Sequence, residues 1–345
     1  MDRTIYNLFL SMKLYDPIER SEELVEAMTG VREPFSTQDC MGIHGFGREY
    51  INGTKTRHVA LVETVGCNVS CAHCYVPNHF LQFHQEHEHF QRSLALLPEP
   101  KILHTAAEIR VALESSLREG GVDVGLSSGE PTLFREGLVE LAHELWKYNR
   151  KVHLILNTNG ILVAEFPEYL EPFTELSRKQ RREQIMVGVS LKGASAGEYE
   201  NFTQTHGKYW QHPYHALRKF YEAGIPALPQ FTLNIAGRTS PDQELTEDDI
   251  AESIVSLVRE LRAVHEELPR LAIPQEVNQY RVPYKPEVVR KRFQKRGGYR
   301  KTKPSIALKH FKEAVPDWIP SGRGEAPALE TKVPIMRNIL KDYGW

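Results

Sequence analysis

The sequence predicts an α/β fold: a partial (β/α)6 barrel with N- and C-terminal extensions. Two observations carry this prediction. From about residue 57 to about residue 285, short apolar runs rich in β-branched residues alternate with stretches whose apolar residues recur at helical spacing. Repeated β-then-α units of this kind build a parallel sheet with right-handed crossovers. The units number six, which leaves the barrel open rather than closed on eight strands. Composition agrees: 41% hydrophobic and 26% charged residues are ordinary for a globular chain. A formal net charge of −2 excludes general attraction to nucleic acid or membrane. No run approaches the roughly 18–20 apolar residues of a membrane span. No basic segment leads into an apolar run after Met1, so no signal peptide and no membrane partner is expected, and the location reads as cytoplasmic.

Residues 1–55 read as the N-terminal extension. Ser21 is the expected N-cap of a short helix, with Glu22 and Glu23 in its first turn and Gly30 past its end. Gly42, Gly45, Gly47 and Gly53 predict turns. The core spans 56–285. Residues 57–65 read as a buried strand, and Gly66 releases the chain into a loop. Residues 77–101 form a histidine-rich insert (His79, His84, His87 and His89), read as solvated surface or as a lid. A helix over 105–118 follows from Ile109, Val111, Leu113 and Leu117, and a strand over 122–126 follows it. Further helices are expected over 135–148, 163–181, 212–223 and 247–267, the last opened by Thr246. Further strands are expected over 152–156, 185–191, 225–235 and 277–282.

Residues 286–345 form a C-terminal extension. Between Arg281 and Lys303 there are ten Lys or Arg and one acid, Glu287, a local charge of +9. Tyr280, Tyr284, Phe293 and Tyr299 interleave with the cations. Two readings stand: a solvated surface, or a patch for phosphates or RNA. Beyond it Pro316, Pro320, Pro327 and Pro334 predict a tail wrapped around the core.

The chemistry centres on Cys67, Cys71 and Cys74, three of the chain's four cysteines, at CxxxCxxC spacing. Thiolates are soft ligands that suit zinc or an iron–sulfur cluster. Structural zinc normally takes four protein ligands, and His73 or His79 can supply the fourth. A [4Fe–4S] cube usually takes four thiolates, so three would leave one iron open, as a reactive site requires. Three close cysteines cannot all pair among themselves as disulfides. Cys40 reads as a small buried side chain or as a thiol near the active site.

With His73 before the last cysteine and Tyr75 after it, the loop resembles the signature of the radical S-adenosylmethionine (SAM) enzymes. The resemblance implies that Cys67, Cys71 and Cys74 hold a [4Fe–4S] cluster whose fourth iron is chelated by SAM. An electron from the cluster would then cleave SAM to a 5′-deoxyadenosyl radical that abstracts hydrogen from a substrate. The run Ser127-Ser128-Gly129-Glu130-Pro131-Thr132 reads by itself as a strand-to-helix turn. It is similar to the family's GGEP-type motif, with Ser128 in place of the first glycine. The resemblance implies that Ser128, Gly129 and Glu130 meet the amino group of SAM. Asn157-Thr158-Asn159-Gly160 reads as an Asn-Gly turn, which the resemblance puts at the mouth of the cofactor pocket, with Asn159 a candidate contact. Ser190 and Lys192 alternate on one side of a strand end. In the branch resembling pyruvate formate-lyase activating enzymes, such residues contact the ribose and carboxylate of SAM. Asn234 is a further candidate for that pocket. No cysteine follows Cys74, so no auxiliary cluster is expected.

The resemblance implies a flavodoxin- or ferredoxin-like electron donor and leaves the substrate open. A glycyl-radical enzyme activase acting on a protein and a nucleotide- or RNA-modifying enzyme are the alternatives within the class. A zinc-binding interaction module is the alternative outside it.

Overall fold

The computed structural model describes residues 14–29, 40–50, 58–97 apart from 73, 75, 77, 84, 85 and 87, 101–118, 123–179, 184–233, 246–275, 304–320 and 328–345. Among these residues one eight-stranded sheet runs in the order β3-β1-β2-β4-β5-β6-β7-β8. Six strands pair in parallel in sequence order: β2 His58–Thr64, β4 Asp123–Ser127, β5 His153–Thr158, β6 Ile185–Leu191, β7 Ala227–Thr232 and β8 Ile273–Gln275. This is the partial barrel, with β2 and β8 at opposite ends of the parallel set. The sixth strand lies before the expected range, whose residues 277–282 fall outside those described.

The N-terminal extension departs from expectation in two places. Cys40–Tyr50 is a strand, β1, antiparallel to β2, with Leu103–Thr105 (β3) antiparallel on its other side. Gly42, Gly45 and Gly47 therefore lie within a strand, and the register shifts between Ile43 and Gly45, where a glycine absorbs the irregularity. The first helix, α1, spans Pro17–Thr29. Ser21 is buried inside it rather than at its cap, and its Oγ donates to Pro17 O at 2.7 Å. Asp16 caps the helix instead, its Oδ1 accepting from Ile18 N at 3.0 Å, with Pro17 suited to the first turn.

One face of the parallel sheet is covered by helices and is apolar. Val124, Leu126, Leu154, Leu156, Val187 and Val189 on that face are buried. The helices are α2 Ala106–Arg118, α3 Arg135–Tyr148, α4 Ile161–Glu165, α5 Glu171–Lys179, α6 Ala196–Thr203, α7 His212–Glu222 and α8 Glu247–Val264. The helix expected over 163–181 is broken into α4, a 3-10 turn at Pro167–Tyr169 and α5, because Pro167 and Pro172 fit only first turns. Thr246 opens α8 with a full capping box to Asp249. The insert packs inward: Phe80, Phe83 and Phe90 are buried, with ring centroids 5.2 and 5.7 Å apart.

The described C-terminal residues pack on the core largely as helices. Pro304–Ala314 (α9) packs Phe311 on Phe231 of β7, centroids 4.9 Å apart. Ala328–Asp342 (α10) contains Pro334 and buries Met336, Ile339 and Leu340. The basic run from Arg281 to Lys303, the side chains of Cys40, His73 and His79, and Asn234 lie outside the described residues. No helix among the described residues is long and apolar enough to cross a membrane.

Candidate metal and cofactor site

The cysteine loop leaves the carboxyl end of β2, where α/β folds place their chemistry. Gly66 turns the chain at φ +75°, in the left-handed region that glycine tolerates. The loop is then clamped from four sides. Gly66 N and Cys67 N donate to Phe80 O and Leu81 O at 2.9 and 3.0 Å. Ser70 N and Ala72 N donate to Thr203 O and Phe202 O at 3.0 and 2.8 Å, meeting carbonyls that the end of α6 leaves open. Arg20 Nε of α1 donates to Cys67 O at 3.1 Å. Glu130 N, in the turn after β4, donates to Gly66 O at 2.7 Å.

Gly129 lies directly against the loop's entrance. A Cβ at that position would stand 2.3 Å from Gly66 O and 2.8 Å from Val65 O, so no other residue fits. Ser128, beside it, holds φ +80°. The sequence departs from the glycine pair at the one position whose backbone favours glycine. Its Oγ makes a long bond of 3.3 Å to Glu63 Oε1. Ser128→Gly is therefore expected to stabilise the chain by about 1 kcal/mol, by relieving a left-handed residue. In thermal unfolding this reads as a rise of roughly 1–2 °C; a fall would show that the Glu63 bond outweighs the strain.

Glu130 sits at the centre of a buried network of hydrogen bonds. It is 1% exposed, and both carboxylate oxygens face inward. Oε1 accepts from Thr132 N at 3.2 Å, Thr132 Oγ1 at 2.6 Å and Thr158 Oγ1 at 2.6 Å, while Oε2 accepts from Asn159 N at 2.8 Å. Burial raises its pKa above the ordinary carboxylate range, and these donors oppose the rise. The carboxylate thus ties the β4 turn to the β5 turn. Asn159 continues the chain of bonds: its Nδ2 donates to Asn68 Oδ1 at 2.7 Å, and Asn68 Nδ2 donates to Ser21 Oγ at 3.1 Å. Asn68 is buried inside the cysteine loop and was missed as a candidate. Its only sequence signal is its position directly after Cys67.

None of Cys67, Cys71 and Cys74 is in a disulfide. Cys67 and Cys71 are buried and Cys74 is half-buried. Burial pushes the Cys67 thiol well up, and Cys71, Glu130 and Cys74 nearby add to the shift. A thiol so held gives up its proton on ligating a metal. Among the described residues no three His, Cys, Asp or Glu side chains converge on a single ion. A cube spreads its thiolates over separate irons, so three clustered thiols fit it. Tyr199 of α6 is fully buried near Cys71 and Cys67, and burial pushes its hydroxyl pKa well up.

On the far side of the strand ends, Ser190 of β6 is half-buried on the helix-free face, opposite Gln230 of β7. Lys192 follows it, also half-buried. Asn159, by contrast, is buried in the bond chain above.

An open parallel sheet with a three-thiol loop at its carboxyl edge defines a metal-cluster enzyme of the α/β class. Residues 61–263, more than half of the chain, match the radical SAM superfamily, and the chain belongs to it. Enzymes of this superfamily use a [4Fe–4S] cluster and SAM, and the zinc-module reading gives way to those cofactors. GTP 3′,8-cyclases of Helicobacter pylori are 30–31% identical over 114 residues, 33% of this chain but 30% of theirs. The Streptococcus suis SuiB structure bound to precursor peptide SuiA overlaps 80% of this chain and 47% of its own, with 15% identity and a TM-score of 0.45.

Proposed function

We propose that Cys67, Cys71 and Cys74 hold the [4Fe–4S] cluster of a radical SAM enzyme that cleaves SAM reductively and abstracts hydrogen from a substrate. The observation that carries this is the three-thiol loop at the end of β2, locked in place by the glycine–glutamate turn after β4. When bound, the cluster supplies one electron and SAM supplies the 5′-deoxyadenosyl group. The chain's own residues shape the pocket. Ser128 and Gly129 bring backbone to the loop's side, and Asn159 fixes the β5 turn next to it. Ser190 and Lys192 offer a hydroxyl and an ammonium at the end of β6, the ammonium suited to the SAM carboxylate. Asn234, just past β7, is proposed for the same pocket. Glu130 acts on SAM through the turn it holds rather than by direct contact. A flavodoxin- or ferredoxin-like donor reduces the cluster, and the cytoplasm is the compartment proposed.

For the substrate, a nucleotide is the favoured class. Its support is the 114-residue similarity to GTP 3′,8-cyclases, and the basic run from Arg281 to Lys303 adds charge suited to phosphates. An RNA substrate rests on the basic run alone. The glycyl-radical activase reading, with the pyruvate formate-lyase activating branch, rests on Ser190 and Lys192 alone.

The test is anaerobic. Reconstituted protein, reduced with dithionite in the presence of SAM, should release 5′-deoxyadenosine, even slowly and without substrate. Chromatography should show at least a tenfold excess over a Cys71→Ala control, the factor corresponding to about 1.4 kcal/mol in barrier. Release no greater than in the control would overturn the proposal.

A further inference from the structure

We infer that the helix-free face of the sheet carries a recognition floor for a nucleobase, built from the side-chain amides of Asn157, Gln230 and Gln275. This rests on the proposed radical reaction and on its nucleotide substrate. Gln275 Nε2 of β8 donates to Gln230 Oε1 of β7 at 3.1 Å. Gln230 Nε2 donates to Asn157 Oδ1 of β5 at 3.0 Å. The second bond crosses β6, and it does so over Gly188. A Cβ at Gly188 would stand 2.1 Å from Gln230 Nε2 and 2.6 Å from Asn157 Oδ1. The missing side chain on β6 is what lets the two amides meet.

The ladder lies opposite the helices. Val189, the next residue of β6, is buried on the side of α7, whereas Asn157 and Gln230 are half-buried and Gln275 is exposed. Each side-chain amide has two donor hydrogens and a carbonyl with two lone pairs. Among the described residues the ladder leaves both hydrogens of Asn157, one each of Gln230 and Gln275, and the Gln275 carbonyl to meet a guest. The floor is a neutral, planar row of donors with an acceptor at one end.

Charge selects the guest. None of the six parallel strands contains a lysine or arginine; Glu63 and Asp123 stand on the ladder's face, Asp123 paired with His153 at 2.8 Å, and Lys192, just past β6, is the cation assigned above to the SAM carboxylate. A phosphate needs several cations or free backbone amides, and the strands under the ladder supply no Lys or Arg for it. A nucleobase edge is neutral, planar and mixed in donors and acceptors, and Asn and Gln are the side chains that pair with such edges. A peptide main chain shares that chemistry, but peptides taken up by sheets add to an edge strand. Here two of the three amides stand on interior strands. The phosphates of a nucleotide would then lie away from the floor.

The test uses the anaerobically reconstituted full chain saturated with SAM. Guanosine, adenosine and N-acetylalanine N-methylamide are titrated into it by calorimetry. A nucleoside should bind, and Gln230→Leu should weaken it about tenfold, the loss of one or two neutral hydrogen bonds. Gly188→Ala, which pushes the amides apart without removing them, should do the same. Gln275→Leu changes an exposed residue and serves if either variant fails to fold. The inference is overturned if no nucleoside binds, if the variants bind as the wild chain does, if the nucleoside displaces SAM, or if only the peptide amide binds. Iron content on the same samples separates the two readings: a chain that builds no cluster defeats the reaction proposal, whatever its nucleoside affinity.

Discussion

Replacing any one of Cys67, Cys71 or Cys74 by alanine is expected to take the protein from about four irons per chain, the content of one cube, to essentially none. Cys67 and the backbone on either side of Cys71 are held by bonds to α1, α6 and the insert, and Cys74 N donates to Cys71 O, so the three sulfurs are set by the loop's own backbone. Loss of one sulfur leaves those backbone bonds in place, so circular dichroism should show a folded chain. Cys40→Ala is the control. Cys40 opens β1 and pairs with Thr105 of β3, outside the loop. Iron and sulfide analysis after anaerobic reconstitution checks all four variants. Full iron in any loop variant, or its loss in Cys40→Ala, would remove the thiols from the assigned role.

Glu130→Ala is expected to destabilise the fold by about 3–5 kcal/mol, a large effect for one residue. The change strips the acceptor from four donors at once, in a site 1% exposed. The hydroxyls of Thr132 and Thr158 can turn to other acceptors, but the backbone N–H groups of Thr132 and Asn159 cannot. Glu130→Gln keeps the shape and one acceptor oxygen, but sets an amide N–H against a donor. Its cost should be smaller, about 1–3 kcal/mol. Urea unfolding of both variants gives the order. A Glu130→Ala chain as stable as the wild type would mean that the carboxylate turns outward to a ligand instead.

Much of the fold was legible from periodicity. Residues 135–148 and 185–191 form the expected helix and strand, and Thr246 opens α8 as expected. These elements carry their signal locally. β1 does not, because a glycine-rich strand is made by its partners' hydrogen bonds and its own residues read as turns. Pro334 hid α10 for a similar reason: burial of Met336, Ile339 and Leu340 outweighs the lost backbone bond. In the candidate site the cysteines were legible because their spacing is itself the signal. Asn68 and the amide ladder were not. Asn68 meets Asn159 across 91 residues, and Asn157 meets Gln230 across 73, so nothing in either neighbourhood marks the pair.

The same long reach sets an order of events for a chain emerging from the ribosome. The cysteines appear early, but the groups that seat their loop come late: Asn159, then Phe202 and Thr203, and last Tyr209, whose hydroxyl holds Asp16 at 2.8 Å across 193 residues. Until residue 209 has been made, α1 holds the loop only through Arg20 and Ser21, and the loop lacks the α6 carbonyls and the Tyr209 hydroxyl that complete its seat. The complete seat of the loop therefore draws on the first 209 of the 345 residues, and no fragment that stops short of Tyr209 carries all of it.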